Sequence, residues 1–190
     1  MTIIIHGFGS AGKGGKAMLF REYFKEQGKP CIAPSLSYVP ELAMDTLEQL
    51  VLSCGDDVTL IGSSLGGYYA IYLAEKYGLK AVLINPAVYS EETLKKRVLE
   101  LKGMATNYHD GSQYTWNKNH VEMLKTYRVD KVKQGKYLLL LQTGDDVLDY
   151  REAVVKLPTA TTIIEEGGTH PFEGIERHFE RIEKFVEGKK

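Results

Sequence analysis

Apolar residues along this chain fall into short unbroken runs, each followed by a stretch in which apolar positions recur every three or four residues. Thr2 to Ile5 is such a run, and Lys16 to Gln27 behind it carries Phe20, Tyr23, Phe24 and Gln27 along one side, the spacing of a helix face. The alternation returns in Pro30 to Ala33 followed by Glu41 to Ser53, where Ala43, Leu47, Leu50 and Val51 have helical spacing. It returns again in Asp57 to Ile61 followed by Leu65 to Tyr77, whose Gly66, Gly67 and Ala70 allow close approach to a sheet. Lys80 to Ile84 is a further strand, closed by Asn85 and Pro86. Toward the C-terminus come the strand Tyr137 to Gln142, the short helix Tyr150 to Lys156 and the strand Thr161 to Glu165; Phe172, Ile175, Phe179, Ile182 and Val186 then mark the stripe of a last helix. Strands that are apolar throughout, rather than at alternate positions, belong to a parallel sheet covered on both faces by helices. The pattern predicts an α/β doubly wound fold with about six mostly parallel strands.

The stretch between Ile84 and Lys136 breaks this rhythm, being too long for a simple crossover. Leu94, Val98 and Leu101 give it a helical pattern, and a polar and aromatic segment with Tyr108, His109, Tyr114 and Trp116 follows. Roughly residues 90 to 130 therefore read as an insertion, either a small cap over a site or extra cover for the sheet edge. No Pro/Gly/Ser-rich linker and no internal repeat divides the 190 residues, so one domain, 1–190, is expected.

Charge narrows the partners. With 24 Lys+Arg against 25 Asp+Glu, a net charge of -1 and no long run of either sign, the chain lacks the footprint of a nucleic-acid binder. The opening apolar run is shorter than a signal-peptide core, and nothing approaches a stretch of about eighteen apolar residues, so no membrane association and a cytoplasmic location are expected. Cys31 and Cys54 lack the paired spacing of a zinc site and read as reduced thiols.

The sharpest chemical signal is Gly62-Ser63-Ser64-Leu65-Gly66, directly after one strand and before a helix. A serine in so tight a turn needs small residues two positions to either side, as Gly62 and Gly66 are, and the helix start behind it offers N–H groups to an oxyanion. The plain alternative for Ser64 is a helix N-cap. Two later strand ends supply the partners of a nucleophilic serine in the order Ser, Asp, His: Thr143-Gly144-Asp145-Asp146 after one strand and Gly167-Gly168-Thr169-His170 after the next. All three loops would leave the same edge of a parallel sheet. His170 would be the general base and Asp145 its orienter, with Asp146 and Asp149 as rivals for the acid. The loop His6-Gly7-Phe8-Gly9 is placed to offer the Phe8 backbone N–H beside that of Leu65 as an oxyanion hole, and His6 reads as a structural hydrogen-bonding residue.

Taken together, His6-Gly7-Phe8, Gly62-Ser63-Ser64-Leu65-Gly66-Gly67-Tyr68-Tyr69-Ala70, Asn85-Pro86-Ala87-Val88, Thr143-Gly144-Asp145 with Val147-Leu148-Asp149-Tyr150, and Glu166-Gly167-Gly168-Thr169-His170 resemble the YqiA/YcfP-type bacterial esterases of the α/β-hydrolase superfamily. The resemblance runs over nearly the whole chain and is weakest from Glu91 to Lys136. It implies a compact α/β-hydrolase fold and a small serine hydrolase of carboxylic esters and acyl-CoA thioesters that works without a cofactor. It also implies a triad of Ser64, Asp145 and His170.

The glycine-rich loop after the first strand invites a different reading. Gly7-Phe8-Gly9-Ser10-Ala11-Gly12 matches a dinucleotide fingerprint, but the next strand ends Ala33-Pro34-Ser35 without the acid that would hold a ribose. Gly12-Lys13-Gly14 approaches a P-loop but has glycine where a magnesium-binding Ser or Thr belongs. A nucleotide-binding or non-catalytic α/β protein is thus the alternative, and Lys13 and Lys16 are candidates to attract the phosphates of a CoA thioester. His109 and His120 have no partner at ligand spacing, so no metal is expected. Trp116, and Tyr68 on the helix after Ser64, are the aromatic candidates for lining a substrate pocket, with packing as the competing role for each.

Overall fold

The computed structural model describes residues 1–55, 57–133 and 136–188. Its elements run β1 (Thr2–Ile5), α1 (Gly15–Glu26), β2 (Cys31–Ile32), α2 (Pro40–Cys54), β3 (Thr59–Ser63), α3 (Leu65–Tyr77), β4 (Lys80–Ile84), α4 (Ser90–Glu100), β5 (Met104–Thr106), β6 (Gln113–Thr115), α5 (Lys118–Lys125), β7 (Tyr137–Gln142), α6 (Tyr150–Lys156), β8 (Thr161–Glu165), a single 3₁₀ turn (Ile175–His178) and α7 (Phe179–Glu187). Six of the strands form one sheet in the order β2-β1-β3-β4-β7-β8, and every neighbouring pair is parallel. The chain goes out from β1 to β2 and returns to the other side of β1 with β3. The loops that follow β1 and β3 therefore lie side by side at the carboxyl edge, where such a reversal opens a crevice.

Successive strand residues point to opposite faces, and this splits the core in two. Ile4, Ile61, Val82, Ile84, Leu138 and Leu140 meet Ala17, Phe20 and Phe24 of α1 and Phe179 and Ile182 of α7. Ile3, Leu60, Ala81, Leu83, Leu139 and Leu141 meet the apolar stripes of α2 and α3 on the other face. β7 is buried at all six positions. β8 is the exception to the unbroken apolar pattern: it closes the sheet, Thr161 and Thr162 face solvent, and Ile164 is exposed.

The insertion has more structure than its sequence pattern revealed. Between α4 and α5 lies an antiparallel hairpin, with Ala105 opposite Tyr114, and α5 packs against α2 and α4. The hairpin is fastened to the loop after β1 and to the segment after β2. The Tyr108 N–H donates to the Gly9 carbonyl at 2.7 Å, the Asn107 amide donates to the Tyr38 hydroxyl at 2.8 Å, and the Tyr38 and Tyr114 rings stack. Gly9 has φ +64°, and a Cβ there would lie 2.7 Å from the Thr106 carbonyl and against the Tyr108 ring, so glycine is what lets the hairpin close down. No helix among the described residues is long and apolar enough to cross a membrane.

Candidate active site

Ser64 stands between β3 and α3 with φ 54° and ψ -122°, a conformation that costs a non-glycine residue about 1–3 kcal/mol. The surroundings enforce it. A Cβ on Gly62 would overlap the Gly66 carbonyl, and one on Gly66 would overlap the Ile5 carbonyl, so the turn packs directly on β1. The Ser64 N–H donates to the Ile84 carbonyl at 3.2 Å, and the Ser64 carbonyl accepts from Gly67 and Ala87 at 2.9 and 3.0 Å. Those bonds tie the residue to α3 and to the loop after β4, leaving its hydroxyl to project from the carboxyl edge.

Around that hydroxyl the loops after β7 and β8 converge. His170 Nε2 lies 2.9 Å from Ser64 Oγ, and His170 Nδ1 lies 2.8 and 3.0 Å from the two Asp145 oxygens. One of these oxygens, Oδ1, also accepts the Val147 and Leu148 amides, each at 2.9 Å. Burial pushes the Asp145 carboxyl up, but the bonds from His170 and from these two amides outweigh it and hold the group below its ordinary range. A carboxylate that only accepts places the imidazole proton on Nδ1 and leaves Nε2 to accept from the serine. The two rivals are used elsewhere or face water. Asp149 caps α6 and pairs with Arg151, and Asp146 is exposed.

Two polar side chains at strand ends hold the histidine loop. Asn85, buried and with φ 39°, donates to the Thr169 and His170 carbonyls at 3.0 and 3.1 Å and accepts from the Gln142 N–H. The Gln142 side chain accepts the Thr169 and Glu173 amides and donates to Glu165. Gly168, at φ +75°, leaves no room for a Cβ against that amide. Opposite, the loop after β1 brings the Gly7 backbone against Ser64; a Cβ on Gly7 would be 3.1 Å from the Ser64 Cβ. The Phe8 and Leu65 N–H groups donate to no acceptor among the described residues. His6 accepts the Leu36 N–H at Nε2, 3.0 Å, and bonds the Gly7 carbonyl through Nδ1, which joins this loop to the chain after β2.

Two clefts meet at Ser64. The larger, about 300 Å³, runs toward α1 between Phe8, Lys16, Phe20, Ile61, Tyr108 and Pro171. The smaller, about 110 Å³, runs beneath α4 past Leu65, Leu94, Arg97 and Leu148. Phe8, Ser64, Tyr108 and His170 border both.

A family model described as "Uncharacterised protein family (UPF0227)" matches residues 1–187. The chain belongs to the UPF0227 family. A UPF0227 protein of Vibrio parahaemolyticus is 24% identical over 193 residues, covering 97% of this chain and 98% of the relative; one of Pasteurella multocida is 24% identical over 190 residues with the same coverage. Among solved structures the chain is similar to Est1E from Butyrivibrio proteoclasticus with ferulic acid bound (TM-score 0.78, 18% identity, 99% of this chain and 88% of that one). It is also similar to a monoacylglycerol lipase of Paleococcus ferrophilus (TM-score 0.71, 18% identity, 98% and 93%). These likenesses give the UPF0227 chain the α/β-hydrolase fold.

Two sequence expectations for this UPF0227 site need correction. Trp116 is 1% exposed; its ring packs edge-on against Phe8 and stacks on His120, so it backs the loop after β1 and lines neither cleft at Ser64. Tyr68 is also buried, and its hydroxyl donates to the Leu124 carbonyl at 2.8 Å, fastening α3 to α5. Besides Phe8, the aromatic residue that borders both clefts among the described residues is Tyr108, 70% exposed at the hairpin tip, where nothing in the spacing distinguishes it from its neighbours. Of the two lysines, Lys13 is exposed, whereas Lys16 turns inward and donates to Ser63 Oγ at 2.7 Å. Burial lowers the Lys16 ammonium from 10.5 to about 8, against the opposing pull of Asp145. Gly12 abuts the Ala33 carbonyl and donates to Ser35 Oγ, a packing reason for the glycine-rich loop. His109 sits in a surface turn, and His120 completes the capping box of α5.

Proposed function

We propose that this protein is a serine hydrolase that cleaves carboxylic esters, with acyl-CoA thioesters as a second substrate class, through an acyl-enzyme on Ser64. The observation that supports this most directly is the relay from Ser64 Oγ through His170 to Asp145, at 2.9 and 2.8 Å, at the meeting point of two clefts. Ser64 Oγ attacks the acyl carbonyl carbon and its proton passes to His170 Nε2. The carbonyl oxygen becomes an oxyanion that the Phe8 and Leu65 amides receive, helped by the start of α3. Asp145 keeps the Nδ1 proton in place and stabilises the imidazolium. The C–O or C–S bond to the leaving group then breaks as His170 returns the proton to it. Water attacks the acyl-enzyme with His170 again taking the proton, and release of the acid restores Ser64. Two clefts sharing one serine suit a substrate with an acyl part and a leaving part on opposite sides of the scissile bond.

The test is labelling with a fluorophosphonate together with hydrolysis of para-nitrophenyl esters. Wild type is expected to be labelled at Ser64 and to turn over, and Ser64→Ala to do neither. An unlabelled Ser64, with Ser64→Ala matching wild type on every ester and thioester, would overturn the proposal.

A further inference from the structure

In the larger cleft the walls from Ile4, Ala17, Phe20, Ile61 and Ile84 are apolar, yet Lys16 places an ammonium among them. Other cations among the described residues that are partly withdrawn from water have acidic or carbonyl partners, as Lys29 pairs with Glu183 and Glu187, Arg128 with Glu91, and Lys80 with the Val186 carbonyl. Among the described residues Lys16 bonds only a neutral hydroxyl, Ser63 Oγ. The negative charge that acts on it is Asp145, whose oxygens are already taken by His170 and two amides. An ammonium with spare donors in an apolar wall is unfavourable by itself and becomes favourable when an anion meets it. The ends of the group it would meet are also provided for. Ser10 and Ser63 border the same cleft, and no acidic residue lies in the first turn of α1 to repel an anion.

We propose that the larger cleft selects esters carrying a carboxylate several atoms from the scissile bond, and that Lys16, with Ser63, is the residue that recognises it. The inference rests on the hydrolase reading for the position of the scissile bond. A carboxylate rather than a phosphate monoester fits because one ammonium balances one negative charge, and about 300 Å³ admits a short chain but little more. Lys16 is a specificity residue here and takes no part in bond breaking.

The carboxylate could come with the acyl part or with the leaving group, and two matched pairs separate these sources. Mono-para-nitrophenyl glutarate is compared with para-nitrophenyl pentanoate for the acyl side, and para-acetoxybenzoate with its methyl ester for the leaving side. Wild type is expected to favour the charged member of one pair by about tenfold or more in kcat/KM, the scale of a hydrogen bond to a charged group. Lys16→Met is expected to remove that ratio, Lys16→Arg to keep part of it, and Lys16→Glu to reverse it. Binding is read without turnover by titrating glutaramate, a monoanion, against its uncharged diamide: the anion should bind wild type about tenfold more tightly and Lys16→Met equally with the diamide. Preference for the neutral member in both pairs, or a preference that survives Lys16→Met, overturns the inference while leaving the hydrolase reading intact. If no ester is cleaved and Ser64 is not labelled, the hydrolase reading has failed, and the glutaramate titration still decides whether Lys16 holds a carboxylate.

Discussion

An unneutralised ammonium in an apolar wall should be visible in the stability of the unliganded protein. Lowering Lys16 from 10.5 to about 8 means that folding disfavours its charged form by about 3 kcal/mol. Lys16→Met keeps an apolar stem in the cleft wall and removes the charge, at the loss of the Ser63 hydrogen bond, about 1 kcal/mol. The expected net gain near pH 7 is about 2 kcal/mol, or about 4 to 8 °C in Tm for a chain of this size. The sign of the pH dependence follows from the same values. Between about 8 and 10.5 the unfolded chain still holds the Lys16 proton that the folded chain has released, so wild-type stability rises through that window. The variant lacks the group, and its advantage should shrink there. Urea unfolding of both proteins at a series of pH values measures the gap directly. A Lys16→Met protein less stable than wild type near neutral pH, or a gap of constant size up to about pH 10, would refute the reasoning.

Two further expectations follow from the site. Asp145→Asn should lower kcat by about a thousandfold or more, because an amide can donate to His170 and so support the wrong tautomer, whereas Asp146→Asn, at an exposed position, should change kcat by less than about twofold; a larger loss in the second variant reverses the assignment of the acid. Hydrogen bonds from Gln142, Arg177 and His178, together with the Arg177 charge, outweigh the opposing effect of burial and hold Glu165 at about 2 against an ordinary 4.5, so its contribution to stability is complete above 4.5 and is lost as pH falls toward 2. Glu165→Gln should therefore be less stable than wild type at neutral pH, with the difference closing across that acid window in circular-dichroism melts; a difference that widens there would contradict the assignment.

How much of the fold could be read in advance depended on whether an element's burial was uniform. The unbroken apolar run of β7, Tyr137–Gln142, is buried on both faces because the sheet has helices on both sides, and a continuous run is what that environment demands. The hairpin of β5 and β6 escaped notice because strands of three residues, Met104–Thr106 and Gln113–Thr115, are too short for a period to register. Its aromatic residues were correspondingly ambiguous. Tyr114 and Trp116 turn toward the Phe8 loop while Tyr108 turns to the cleft, and that choice belongs to the tertiary contact at Gly9 rather than to any local pattern.

For the site, chain order was informative because a parallel sheet sends every strand-end loop to one edge, so Ser64, Asp145 and His170 could be brought together from topology alone. The residues that aim them left a fainter trace: Asn85 and Gln142 are polar residues ending otherwise apolar strands, a placement that a buried strand tolerates only where the side chain has bonds to make. Lys16, marked in the sequence as a candidate partner for CoA phosphates, also leaves a trace in the helix pattern. The apolar stripe of α1 runs through Phe20 and Phe24, and Lys16 continues it one turn back, on the face that Ala17 and Phe20 bury against the sheet. A helix built for packing alone would put an apolar residue there. A lysine on that face contradicts the local pattern where the stripe meets Ser63, and such departures from consistency concentrate at functional or strained sites.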